Sequence, residues 1–244
     1  MSAGDSTRKA AAPVDGGHRR VLVATRNPGK LHELQPMLAA AGFDAIDLEG
    51  AGLPETPDED QLESEPTFAG NALAKARHFH HRSGLPTIAD DSGLVVHALG
   101  GAPGVRSKRY AGRGDLRGQP LDAANNAALL AAIAGAADRR AAFVCAAAFV
   151  DGGHSHVVEG ETTGRIVDQA ASGGHGFGYD PHFLSDELGV TFAEATREQK
   201  AAVSHRGRAV RALASWLSGT ADGGSAASRS AGAPIGVDRR SNPG

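Results

Sequence analysis

Two adjacent carboxylates, Asp90 and Asp91, follow the apolar residues "PTIA" and precede Ser92 and Gly93. Like charges side by side are costly to bury unless a cation or a shared proton lies between them. A third carboxylate, Glu63, stands shortly before a helix-like segment that begins at Thr67. Carboxylates delivered from separate segments could hold Mg²⁺, which takes one or two of them together with the phosphate oxygens of a substrate. One carboxylate freed from ligation could accept a proton from water. The bland alternative is a solvated acidic loop, since Asp-Asp-Ser-Gly is a common turn composition. Against it, the flanks "PTI" and "LVV" place the pair near a sheet edge, followed by a Ser-Gly turn.

Three other stretches could supply partners. "ATRNPGK" contains Thr25, Arg26, Asn27, Pro28, Gly29 and Lys30 and reads as a strand turning into a helix start. That arrangement aims free backbone N–H groups and the positive helix end at one point, which favours a phosphate. It is not a P-loop, because Leu31 stands where that motif needs Ser or Thr after the lysine. A capped helix with a surface lysine is the plain reading of this stretch alone. "GGHGFGYDPHF" interleaves glycines with Phe177 and Tyr179 in a chain only 5% aromatic. It offers a stacking face for a flat ligand, or else a glycine-rich turn whose aromatics plug a core. "EQKAAVSHRGR" groups Lys200, His205 and Arg206, which suits a phosphate or a carbonyl oxygen, or else a basic helix start with no ligand.

These side chains need a frame. "RVLVAT" has the β-branched character of a buried first strand. Asn27 as N-cap, Pro28 at the first helical position, and Leu31, Leu34, Leu38 and Ala41 at helical spacing predict a helix that Gly42 ends. "FDAIDL" reads as a second strand, and the acidic, Pro/Gly-rich residues 49–66 as a loop. Residues 67–80 place Phe68, Ala72, Ala76 and Phe79 on one helical face. A helix is expected over residues 120–133, then three strands, "AAFVCAAAFV", "HSHVVEGE" and "TGRIVDQ", separated by glycine turns. "SHRGRAVRALASWL" closes the domain as a helix with Val210, Leu213, Trp216 and Leu217 inward. The pattern predicts an α/β (α+β mixed) domain with a mixed sheet.

At 244 residues, 41% hydrophobic and 22% charged, the chain can bury one sizeable core. A net charge of −3 argues against a nucleic-acid scaffold but not against a nucleotide substrate. The single cysteine, Cys145, lies in an apolar run and fits a reducing compartment. No run is long enough to span a membrane, and the first residues lack the apolar region of a secretory signal, so the expectation is a cytoplasmic protein. Residues 1–18 and 219–244 are too poor in bulky apolar side chains to join a core and are expected to be disordered tails around a domain at 19–218.

Singly these motifs are weak, but their order is specific. "ATRNPGKLHEL", "TFAGNALAKA", "ADDSGLVVHALGGAPGVRSKRYAG", "GFGYDPHF" and "KAAVSHRGRA", in that sequence and spacing, closely resemble the inosine/xanthosine triphosphate pyrophosphatase family across residues 20–217. The resemblance implies an elongated mixed sheet with two lobes flanking a substrate cleft, a homodimer, and Mg²⁺-dependent hydrolysis of a deaminated purine nucleoside triphosphate to the monophosphate and pyrophosphate. It implies Asp91 as general base, with Glu63 and Asp91 on the metal. Thr25, Arg26, Asn27, Pro28, Gly29 and Lys30 would then meet the triphosphate, and Ser92 would touch substrate. Phe177, Gly178, Tyr179 and Asp180 would line the base pocket, and Lys200, His205 and Arg206 would complete nucleotide binding. In that picture Mg²⁺ and triphosphate offset the repulsion between the paired aspartates. A pyrimidine-nucleotide pyrophosphatase of similar architecture should lack "SHRGRA" after "GFGYDP", while a catalytically silent nucleotide sensor would retain every residue. Two positions depart from the family pattern, Gly70 where an acidic residue is usual and Lys108 where alanine is usual.

Overall fold

The computed structural model describes residues 19–171 and 176–222; residues 1–18 and 223–244 of the expected tails lie outside it, as do residues 172–175 of the glycine-rich stretch, whereas residues 219–222, expected to belong to the C-terminal tail, continue the last helix. One six-stranded sheet carries the fold, in the order β2-β1-β3-β4-β5-β6. β1 (Arg19–Val23) is parallel to both β2 (Phe43–Ile46) and β3 (Thr87–Val96), and the rest of the sheet is antiparallel. β4 (Arg140–Asp151) and β5 (His154–Ile166) are long, and β6 (Phe183–Ser185) is short. The helices are α1 (Pro28–Ala40), α2 (Phe68–Ser83), α3 (Gly118–Ala132), α4 (Arg197–Val203) and α5 (His205–Asp222).

The pleat of β1 and β3 sorts the core into two faces. Val21, Val23 and Ile88 pack under α1 and α5 against Leu34, Leu38, Val210, Leu213 and Leu217. Leu22, Ala24 and Ala89 pack under α2 against Ala72, Ala76 and Phe79. Alanines at 146 and 148 of β4 keep that surface flat enough for α2 to lie close. Trp216 is partly buried beside the first cluster, its ring stacked on His156 with centroids 4.0 Å apart. A separate cluster, with Leu94, Val96, Leu129, Ile133, Phe143, Phe183 and Phe192, fills the far end of β3–β5. Two lobes result, joined by the long strands.

Two sequence readings are corrected. Ser92 and Gly93 do not turn: β3 runs unbroken from Thr87 to Val96, paired with β4 from Val150 back to Ala141. Asp90 and Asp91 therefore sit within a strand, at a stretch where β3 pairs with β4 on one side and its other side is open because β1 has ended, which agrees with the expected sheet-edge location. Gly93 is needed because a 3-10 turn, Gly104–Arg109, lies on it; a Cβ there would collide with Ser107 Oγ and the Gly104 carbonyl. Likewise "HSHVVEGE" and "TGRIVDQ" form one strand, β5. Gly160 and Gly164 admit close neighbours instead of ending strands: the start of α5 rests on Gly160, and Phe183 and the Leu184 carbonyl on Gly164.

Candidate active site

β1 is in register with β3 only at Leu22↔Thr87 and Val23↔Ile88, the amides of Leu22 and Ala24 donating to the Pro86 and Ile88 carbonyls, after which the chain leaves the sheet into α1. α1 crosses one face toward β2, and α2 crosses the other on the way back to β3. The carboxyl end of β1 and the adjoining middle of β3 thus form a switch point, the crevice where open parallel sheets bind ligands. Asp90, Asp91 and Ser92 follow immediately on β3.

Strand alternation sends the two aspartates to opposite faces. Asp90 points under α1 and α5 and is fully buried. Its Oδ2 receives Arg206 Nε at 3.1 Å and pairs with Lys30 Nζ at 3.1 Å. Burial alone would raise its pKa, but Lys30, Arg206 and Lys75 hold it well below the usual carboxylate range. Arg206, also buried, donates Nη2 to Ser92 Oγ at 2.8 Å and Nη1 to Glu33 Oε2. Lys200 Nζ bridges Glu33 Oε1 at 2.8 Å and Asp180 Oδ2 at 2.7 Å. Burial would discharge Lys200, and Asp180 and Glu33 keep it protonated. Asp180 in turn accepts the Phe177 amide at 2.7 Å. The Phe177 ring lies 5.1 Å from Lys200 Nζ and 5.8 Å from the Arg206 guanidinium.

Asp91 points under α2. Asn71 Nδ2 donates to its Oδ2 at 2.8 Å, while Asn71 Oδ1 accepts the Glu65 amide, which tethers the acidic loop. Among the described residues no hydrogen-bond donor holds Asp91 Oδ1. Burial raises the Asp91 pKa against the opposing pull of Lys30 and Lys75, and the nearby Glu63 charge adds to the rise. Lys75 binds Glu63 Oε1 at 2.9 Å and the Asp90 carbonyl at 3.0 Å. Burial favours protonated Glu63, but Lys75, Lys30 and Lys108 bring its pKa down to about 2. Lys108 thus adds its charge beside Glu63. At Gly70 a Cβ would stand 2.8 Å from Glu65 Cβ, so packing opposes a further side chain there.

The phosphate-turn residues divide. Asn27 caps α1, accepting the amides of Gly29 at 2.8 Å and Lys30 at 3.3 Å, so those two N–H groups are occupied by the cap rather than free. Thr25 Oγ1 accepts the Asn27 amide at 3.2 Å, and Pro28 opens the helix. Gly29 is where the two lobes approach, since a Cβ would stand 2.9 Å from Phe177 Cδ1. Arg26 turns away, with Nε and Nη2 on Glu59 at 3.0 and 2.9 Å.

Three other expected residues lie off to the side. Tyr179 is buried in the far lobe, its hydroxyl donating to the Ser107 carbonyl at 2.8 Å. Gly178 is held by α3 through Asp122 and Asn126. His205 stacks on Phe143 with centroids 4.7 Å apart, and its Nδ1 is buried without a partner. Burial, then Arg206 and Lys200, push its pKa far down, leaving a neutral ring. Sequence reading missed Glu33, Asn71 and Lys75. Glu33 is one turn after Lys30 on the same helix face, and Lys75 one turn after Asn71, which is the spacing signal that could have found them.

Two carboxylates of opposed origin, Glu63 from a loop and Asp91 from a strand, therefore interact beside a cationic wall. With Oδ1 of Asp91 unheld, the pair offers the one or two carboxylates a divalent cation takes alongside substrate oxygens; among the described residues no group of three or more carboxylate, histidine or cysteine ligands gathers, and Lys75 already pairs with Glu63.

Comparison with known proteins agrees with this geometry. Residues 21–216 match the Ham1 family. A protein of Ralstonia nicotianae named dITP/XTP pyrophosphatase is 48% identical over 203 residues, covering 82% of this chain and 96% of that one. The crystal structure of a nucleoside-triphosphatase / dITP/XTP pyrophosphatase from Mycobacterium abscessus is 45% identical with a TM-score of 0.59, covering 80% of this chain and 98% of that one. A HAM1 protein structure from Coxiella burnetii, 35% identical, covers 82% of this chain and 99% of that one with a TM-score of 0.70. With the fold, the motif order and these likenesses in agreement over nearly the whole described chain, the protein belongs to the Ham1 family.

Proposed function

We propose that the protein hydrolyses deaminated purine nucleoside triphosphates, those of inosine and xanthosine in ribose or deoxyribose form, to the monophosphate and pyrophosphate. The observation that carries this reading is Asp91, a carboxylate with a burial-raised pKa and one unheld oxygen, next to the switch-point crevice and within the field of Lys30, whose ammonium pairs with Asp90. Relatives named dITP/XTP pyrophosphatase support the substrate class.

Glu63 and Asp91 would hold Mg²⁺, which when bound neutralises charge on the phosphates. Asn71 fixes Oδ2 of Asp91 and so orients Oδ1 to take the proton of the attacking water. The water's oxygen bonds to the α phosphorus as the bond to the bridging oxygen breaks and pyrophosphate leaves. Lys30, with Thr25, Asn27, Pro28 and Gly29 shaping the turn, attracts the triphosphate. Phe177 stacks on the purine, with Gly178, Tyr179 and Asp180 supporting it. Lys200 stands beside the Phe177 ring, His205 supports the neighbouring Arg206 from within the core, and Ser92 holds Arg206.

Arg206 has three nitrogens already donating, and an arginine has only N–H donors. Its remaining N–H bonds can meet a 6-oxo group but not a 6-amino group, which disfavours ATP. The motif resemblance further supports a homodimer working in the cytoplasm. Among the described residues no helix is long and apolar enough to cross a membrane.

Pyrophosphate release from inosine triphosphate with Mg²⁺, followed by chromatography of the products, tests the reading. Inosine monophosphate with pyrophosphate is expected. Diphosphate with orthophosphate would mean a different bond is cut, and binding without turnover would mean a sensor.

A further inference from the structure

The Phe177 ring is anchored from an unexpected direction. α3 belongs to the far lobe, where Leu129 and Ile133 enter the core. Two of its other side chains, one helical turn apart, reach the same residue of the aromatic loop. Asp122 Oδ2 accepts the Gly178 amide at 3.0 Å, and Asn126 Nδ2 donates to the Gly178 carbonyl at 2.9 Å. Both polar groups of one residue are thereby gripped, and that residue has φ +62°, a conformation reserved largely for glycine. The preceding residue is Phe177, whose ring reaches across to Gly29 at the phosphate turn and lies beside Lys200 and Arg206. Rotation of the Gly178 peptides would swing that ring away from the crevice.

We infer that Asp122 and Asn126 are positioning residues for purine recognition, fixing Gly178 so that the Phe177 ring is presented at a set distance from the phosphate turn. This rests on the function proposed above. The two residues touch no substrate; they act through Phe177. The grip also ties base recognition to the far lobe while phosphate recognition stays with the near lobe, so the two ends of one nucleotide are read by different cores. A rigid, pre-placed ring removes the ordering cost that a mobile one would impose on binding.

Steady-state kinetics with inosine triphosphate in the full chain test this. Asp122→Ala is expected to raise KM about tenfold with kcat within about threefold of the parent. Asp122→Asn, which keeps a side-chain acceptor for the Gly178 amide, is expected to restore KM to within about twofold. Asn126→Leu provides an independent variant should Asp122→Ala fail to fold. It removes the donor to the Gly178 carbonyl and also an amide oxygen that is buried without a partner, and it is expected to raise KM several-fold. The decisive measurement is a double-mutant cycle: once Phe177→Ala has removed the ring, adding either substitution should change KM by less than about twofold. Full additivity with Phe177→Ala, or an equal loss in kcat and kcat/KM, would overturn the inference. A parent that releases no pyrophosphate overturns the proposed function and the inference with it. An active parent whose α3 variants keep its KM overturns the inference alone.

Discussion

The two faces of β3 treat identical side chains in opposite ways. Asp90 lies among Lys30, Arg206, Glu33 and Lys200, a network of ion pairs that meets its charge through Oδ2, although its Oδ1 is buried without a hydrogen bond. Asp91, one residue later, has an asparagine on one oxygen and a second carboxylate for a neighbour. One pKa is driven down and the other up. A charge matched within the protein holds architecture, whereas a charge left partly unmatched is available for chemistry. The repulsion expected between adjacent aspartates is thus relieved first by the pleat, which separates them, and only then by cations.

Substitutions on the two faces should therefore fail differently. Asp91→Asn is expected to cut turnover by about 10² to 10⁴ while the unfolding free energy holds or rises, because a desolvated charge is removed and the shape kept. Pyrophosphate assays and urea unfolding on the same preparation would show it. A fully active Asp91→Asn would break the contrast. Asp90→Ala should do the reverse in kind, costing about 3–5 kcal/mol in urea unfolding because Lys30 and Arg206 lose a buried counter-charge. A cost near zero would show that the Asp90 face is not structural.

Acid should separate the faces as well. Folding raises the Asp91 pKa, so its stabilising contribution is full below the ordinary aspartate value of about 3.9 and is lost as pH rises through the raised folded value. Folding lowers the Asp90 pKa, so its contribution is present above the ordinary value and is lost only as pH falls through the depressed one. With chelator present, lowering the pH from 7 toward 4 should stabilise the parent relative to Asp91→Asn in urea unfolding. The opposite trend would refute the assignment of direction. The smallest effect is expected at Arg26, paired with Glu59 away from both faces. Arg26→Ala should change KM for inosine triphosphate by less than about threefold, and a larger rise would return Arg26 to the phosphate site.

Much of the fold and the site is legible in the sequence itself, and the parts that are not share a cause. Asn27 and Pro28 mark the start of α1 because capping is local chemistry, and the apolar periods of α2 and α5 name their buried faces. Gly93, Gly160 and Gly164 read as turns because a glycine's sequence neighbours do not show what lies on top of it. Here the covers come from residues 104–107, 205–209 and 183–184, so turn composition loses to tertiary approach. Glu33 escapes for the same reason: its partners, Lys200 and Arg206, are 167 and 173 residues away. The carboxylates implicated by composition do lie near one another, but the separation of Asp90 from Asp91 onto two faces depends on β3 continuing through Ser92 and Gly93.

That continuity has a consequence for how the molecule comes into being. Side chains alternate with period two, so a slip of one residue between β3 and β4 would exchange Asp90 and Asp91 and put each in the other's surroundings. The ladder from Thr87↔Val150 to Val96↔Ala141 joins segments about half a hundred residues apart, and Arg206 arrives later still. Contacts so distant along the chain form late. An emerging polypeptide can wind α1 and α2 early, yet it acquires two chemically distinct aspartates only when β4 and the last helix have been synthesised and docked.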